Sequence, residues 1–130
     1  MFVCDASVAI RIASSRELPR QLQGEDPVAP PLMWSETSSV IRRSVWRGAM
    51  SLERGLEMVA FLAGGVIEER VDPELRSKAW EIAEELGWAK TYDAEYVALA
   101  SLLGCRLVTL DGRLRRGADR LGFVVTPEEL

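Results

Sequence analysis

Hydrophobic positions alternate between short solid runs and helical stripes along this chain. Residues 1–4 are a continuous apolar run closed by Asp5, which suits a fully buried strand. Ser7 is placed to cap a helix whose first apolar residues are Val8, Ile10 and Ile12. Residues 16–26 are charged and read as a helix end and a loop, and residues 28–29 as a short strand. Pro30 and Pro31 then open a helix over residues 32–47, with Trp34, Ser38, Ile41 and Val45 on one face. Gly48 ends it. Ser51 caps the next helix, which carries Leu52, Leu56, Val59 and Leu62 and breaks at Gly64 and Gly65. Residues 66–71 read as a strand, and residues 73–86 as a helix with Leu75, Ala79, Ala83 and Leu86 at helical spacing. Trp80 and Trp88 are expected in the core or at an interface, because no basic residues interleave them as in a base-stacking platform.

The most informative stretch is residues 90–114, KTYDAEYVALASLLGCRLVTLDGRL. Thr91 can cap a helix over residues 92–103, marked by Tyr92, Tyr96, Leu99 and Leu103, and Gly104 is a natural C-terminal stop. Residues 105–110 are a buried-strand run ended by Asp111 and Gly112. An arginine-rich segment follows, and residues 123–125 make a last short strand. Strands alternating with helices argue for an α/β fold with a parallel sheet and helices on both faces.

Length adds that 130 residues make one domain with a real core. The absence of histidine excludes Ser-His-Asp and Cys-His catalysis within the chain, and every histidine-containing metal site. Cys4 and Cys105 fall in strand-like runs and are expected to be buried, inert thiols, so a reducing cytoplasm is the default compartment. No signal peptide is expected before Asp5, and no apolar run approaches membrane-spanning length. A net charge of −4 rules out a whole-surface grip on nucleic acid, but all except two of the 16 cations are arginine, which leaves room for a basic rim.

Four acids stand at related places. Asp5 and Asp111 each follow a strand, while Glu36 and Asp93 lie early in helices that follow strands. In a parallel sheet all four belong to the carboxyl edge, where such folds bind ligands. Singly each is ordinary: a turn, a cap, a solvated helix end. Together they are costly, since two carboxylates about 5 Å apart repel by roughly 3 kcal/mol at an effective dielectric of 20. Such a group needs a cation or raised pKa values, and an all-oxygen donor set suits Mg²⁺ or Mn²⁺. Thr109, two residues before Asp111, faces the same side of its strand and can hydrogen-bond an acid or a phosphate.

The segments VCDASV, PPLMWSETSSVI, TYDAEYVALA and LVTLDGRL, in this order, resemble a PIN domain, specifically the toxin of a VapBC-type toxin–antitoxin pair. The resemblance spans essentially the whole chain. It implies a three-layer sandwich with a central, mainly parallel sheet, and a Mg²⁺- or Mn²⁺-dependent endoribonuclease inhibited by a cognate antitoxin encoded beside it. Its acidic tetrad carries over onto Asp5, Glu36, Asp93 and Asp111, with Thr109 and Ser7 as supporting hydroxyls and with Asp5 and Asp93 as the first choices for direct metal ligands. Arg42, Arg43, Arg113, Arg115 and Arg116 are then candidates for holding single-stranded or structured RNA. The antitoxin tail is expected across the acidic mouth, with Trp34, Val45 and Trp46 as part of its groove, and the toxin is expected to be a homodimer. Two other classes stay open: a receiver-like phospho-acceptor domain and a catalytically silent PIN-like binding subunit. The first would want paired acids after the first strand and a lysine after the last, and neither is present.

Overall fold

The computed structural model describes residues 1–130. Five short strands, β1 (Phe2–Cys4), β2 (Pro27–Ala29), β3 (Glu68–Glu69), β4 (Leu107–Val108) and β5 (Val124–Val125), form one sheet in the order β3-β2-β1-β4-β5. Every neighbouring pair is parallel, with Cys4 opposite Val108 in the central β1–β4 pair. The chain builds outward from β1 to β3, then crosses back to place β4 on the other side of β1. That reversal puts the switch in strand order between β1 and β4, and open α/β sheets hold ligands outside the carboxyl ends of the strands at such a point.

Six helices cover the sheet: α1 (Ala6–Ser15), α2 (Leu32–Trp46), α3 (Leu52–Ala63), α4 (Leu75–Leu86), α5 (Tyr92–Leu103) and α6 (Gly112–Gly117). α1 packs with α2 and α3, and α4 packs with α5, while α1 and α5 both lie against β1. The expected element order and the three-layer α/β sandwich are therefore what the chain adopts. α5 is the central helix, with Ala94, Tyr96, Val97, Ala98, Leu99 and Ala100 all buried. Its first residue, Tyr92, departs from the expected apolar stripe and is 58% exposed. No helix is long and apolar enough to cross a membrane.

Several local expectations are corrected. The cap of α1 is Asp5, whose side chain accepts from Val8 N; Ser7 lies inside the first turn. α2 buries Met33, Thr37 and Ile41, leaving Trp34 half-buried and Ser38 exposed. α3 buries Gly55, Met58 and Leu62, and exposes Leu52, Leu56 and Val59. The cause is a close helix crossing: a Cβ on Gly55 would come within 2.7 Å of Val45 Cγ2 and 3.4 Å of Ile41 Cγ2. The glycine lets this face of α3 dock, and of the expected stripe only Leu62 stays in the core while Leu52, Leu56 and Val59 turn outward. The strand expected at 66–71 shrinks to the exposed pair of β3, as suits a sheet edge. Cys4 is buried, but Cys105 is only partly so. Trp80 is exposed, whereas Trp88 is partly buried and lies over Gly117.

Candidate active site

Asp5 closes β1 and caps α1, so its carboxylate is fixed by the backbone that makes the strand-to-helix turn. Oδ1 accepts from Val8 N at 3.1 Å and from Ser7 Oγ at 2.5 Å. Oδ2 accepts from Thr109 Oγ1 at 2.5 Å. Both hydroxyls also accept, Ser7 from Leu110 N at 3.0 Å and Thr109 from Asp111 N at 2.9 Å. Two side-chain oxygens thus stitch the turn after β1 to the turn after β4. Thr109 is wholly buried and Asp5 is 5% exposed. Burial pushes the Asp5 carboxyl above its ordinary range, against the pull of its three hydrogen bonds, and the charge of Asp111 adds to the rise.

Asp111 follows β4 and caps α6, accepting from Arg113 N at 2.9 Å and Leu114 N at 3.3 Å through Oδ1. Its other oxygen is left for an outside partner. Asp93 sits in the first turn of α5, and burial followed by the charge of Asp111 raises it, while Arg113 opposes the rise. Glu36 is half-buried on α2. Burial first, then the charges of Asp93 and Asp5, push it up to about 7. Asp5, Glu36 and Asp93 each feel at least one other acid of the group, and the structure brings all four sequence-derived carboxylates to one sheet edge. No three of them close on a point tightly enough to grip an ion as they stand.

Glu36 and Asp93 face a cleft of about 830 Å³ between α2, the start of α5 and α6. Arg43, Lys90 and Arg113 line the same cleft, and none of them has an ion-pair partner. Arg42 faces a shallower groove beside Ser38, Ser39 and Trp46. Arg115 is committed elsewhere: it holds both oxygens of Glu129 at 2.8 Å and Asp119 at 2.6 Å, tying α6 to the chain's end. Arg116 is exposed and turned toward Gly112, away from the cleft lining.

Two residues beside the acids are given no role at the site by the sequence alone. Lys90 precedes the helix that carries Asp93, so the shared carboxyl edge was the signal for it. Tyr96 lies three residues after Asp93 on the same helical face. It is 1% exposed, and its hydroxyl has no hydrogen-bond partner. An unmet buried hydroxyl costs about 1–3 kcal/mol.

The PIN domain family model matches residues 2–120. A VapC ribonuclease, Mb0985 of Mycobacterium bovis, is 37% identical over 118 residues, covering 88% of each chain. Among solved structures, PAE2754 from Pyrobaculum aerophilum superposes with a TM-score of 0.77 at 21% identity, over 98% of this chain and 84% of that one. A toxin–antitoxin complex from Klebsiella pneumoniae gives 0.67 at 16% identity, over 98% of both chains. With residues 2–120 matched by the family model and a VapC ribonuclease 37% identical over most of both chains, this chain belongs to the PIN domain family.

Proposed function

We propose that this chain is a divalent-metal-dependent endoribonuclease, the toxin of a toxin–antitoxin pair working in the cytoplasm. The observation that carries the reading is the juxtaposition in one cleft of two acids raised by burial and by neighbouring carboxylates, Glu36 and Asp93, with three cations that form no ion pair. RNA presents the matching chemistry, a chain of phosphodiesters.

The donor set fits Mg²⁺ or Mn²⁺, being made of carboxylate and hydroxyl oxygens with no nitrogen or free thiolate among them. A bound divalent ion supplies an acidified water and a counter-charge for the displaced phosphate oxygen. Asp5, locked by Ser7, Thr109 and Val8 N, is the fixed anchor for such an ion. Asp93 and Glu36, which face the cleft, hold it toward substrate, and Asp111 offers its free oxygen. Raised acids give up their protons when a cation binds, so the site is set to exchange protons for metal. Arg43, Lys90 and Arg113 hold the phosphates that flank the cut.

The test is cleavage of a single-stranded RNA in Mn²⁺. Asp93→Asn and EDTA should each reduce the rate by orders of magnitude. Cleavage that persists in EDTA refutes the metal-centred mechanism.

The same reading includes an antitoxin partner, as in the structural neighbour described as a toxin–antitoxin complex. Val40 and Trp46 are exposed beside the basic and acidic wall of the cleft, where an apolar and basic tail would fit, a guanidinium pairing with the carboxylates. Trp34 and Val45, half-buried, contribute less. Co-expression with the neighbouring open reading frame should give a complex that does not cut RNA until the partner is proteolysed. A homodimer completes the proposal, and light scattering of the isolated chain checks it.

A further inference from the structure

We propose that Tyr96 is a positioning residue for the acidic site, its hydroxyl donating to the Glu36 carboxylate when the acids draw in around a divalent ion. The inference rests on the metal-centred reading above and concerns a residue that reading does not use.

The geometry is specific. The middle of α5, from Tyr96 to Ala100, is buried, and the Tyr96 hydroxyl is the one side-chain polar atom of that stretch without a partner. The chain's other orphan, Arg106 Nε, belongs to a guanidinium already paired with Glu25 through Nη2. Phenylalanine would pack in the same volume without stranding an oxygen, so packing alone does not account for the tyrosine. Beyond burial, the groups that bear on the phenol are Glu36 first, then Asp5, Cys4 and Asp93, three of them acids of this edge. A phenol is protonated at neutral pH, so the hydroxyl is a donor in search of an acceptor. It is near enough to Glu36 to draw that acid's pKa down, yet short of hydrogen-bond geometry. A small inward turn of Glu36, of the kind a cation demands of acids that do not yet converge, supplies the missing acceptor. Partners of this kind orient metal-holding carboxylates and tune their affinity.

The experiment is Tyr96→Phe in the full chain, with Mn²⁺ binding measured by titration calorimetry and melting followed in EDTA and in Mn²⁺. In EDTA the variant should melt at or above the wild-type temperature, because an unmet hydroxyl has been removed. Its Mn²⁺ affinity should fall about tenfold or more, and the stabilisation by Mn²⁺ should shrink with it. In RNA cleavage kcat should drop while KM for RNA holds. Wild-type Mn²⁺ affinity in the variant, or a large loss of melting temperature in EDTA, overturns the proposal and makes the hydroxyl idle or merely structural. If the wild-type chain itself takes up no Mn²⁺, the metal-centred reading falls and this inference falls with it.

Discussion

Thr109 and Asp5 are 104 residues apart in sequence, yet the threonine hydroxyl donates to the aspartate across neighbouring parallel strands. The same oxygen accepts from Asp111 N, so one buried hydroxyl serves two of the four acids. Its position fixes how far apart those acids can be.

Thr109→Val keeps the shape and removes the oxygen. It leaves a buried carboxylate oxygen and a backbone N–H unmet, which should cost about 2–4 kcal/mol. Thr109→Ser should recover most of that loss, because the hydroxyl returns. Urea unfolding of the three proteins checks the order. A valine variant as stable as wild type would mean that the Thr109–Asp5 hydrogen bond contributes nothing.

Gly55 should not tolerate a side chain. An added Cβ falls 2.7 Å from Val45 Cγ2, and a β-branched neighbour has little freedom to turn away. Overpacking of this kind costs about 1–3 kcal/mol, which exceeds the ~1 kcal/mol that alanine gains over glycine in a helix. Gly55→Ala should therefore lower the melting temperature, and Val45→Ala in the same chain should restore part of it. Additive losses in the double variant would show that the two residues do not meet.

Glu36 ties stability to pH in the metal-free protein. Its folded pKa of about 7 lies above the ordinary 4.5, so between those values the native state holds the proton more tightly than the unfolded chain does. The stability it contributes is complete below about pH 4.5 and is lost as pH rises through about 7. Asp5 and Asp93 are raised in the same sense. Melting temperature in EDTA should thus fall across that window, and Glu36→Gln should flatten the fall. Mn²⁺ should oppose it, because a cation favours the ionised acids. A wild-type melting temperature that climbs over the same window contradicts the burial of these acids.

The elements were largely legible because their signals are local. Apolar runs of strand length, alternating with helical stripes and stopped by glycines, specify the order of a parallel α/β sheet, and Gly104 ends α5 in the left-handed conformation with φ of 65°. The acids were legible for the same reason, since a residue just after a strand or early in the next helix belongs to one edge. Helix faces were less so. The period of α3 was right and its phase wrong, because Gly55 rather than Leu52 and Leu56 meets α2, and only the neighbour shows that. Arg115 read as a substrate contact, but its partner Glu129 comes from fourteen residues on, across a strand. Tyr96 read as core, which it is; its unmet hydroxyl is a property of what surrounds it.

That distinction between paired and unpaired cations gives the last prediction. Arg43, Lys90 and Arg113 line the cleft with no acid to hold them, so their charge is available to phosphates. Arg115 spends its charge on Glu129 and Asp119. Binding of a single-stranded RNA should be measured in EDTA, where it is not cut, at several salt concentrations. Each phosphate contact adds about 0.7 to the slope of log affinity against log salt for a single strand. Arg43→Gln, Lys90→Gln and Arg113→Gln should each remove about that much, and the triple variant about 2. Arg115→Gln should leave the slope alone and instead loosen α6 from the end of the chain, lowering the melting temperature. If the cleft variants bind RNA with the wild-type slope and Arg115→Gln does not, substrate crosses α6 on its far side and the cleft is not the RNA path.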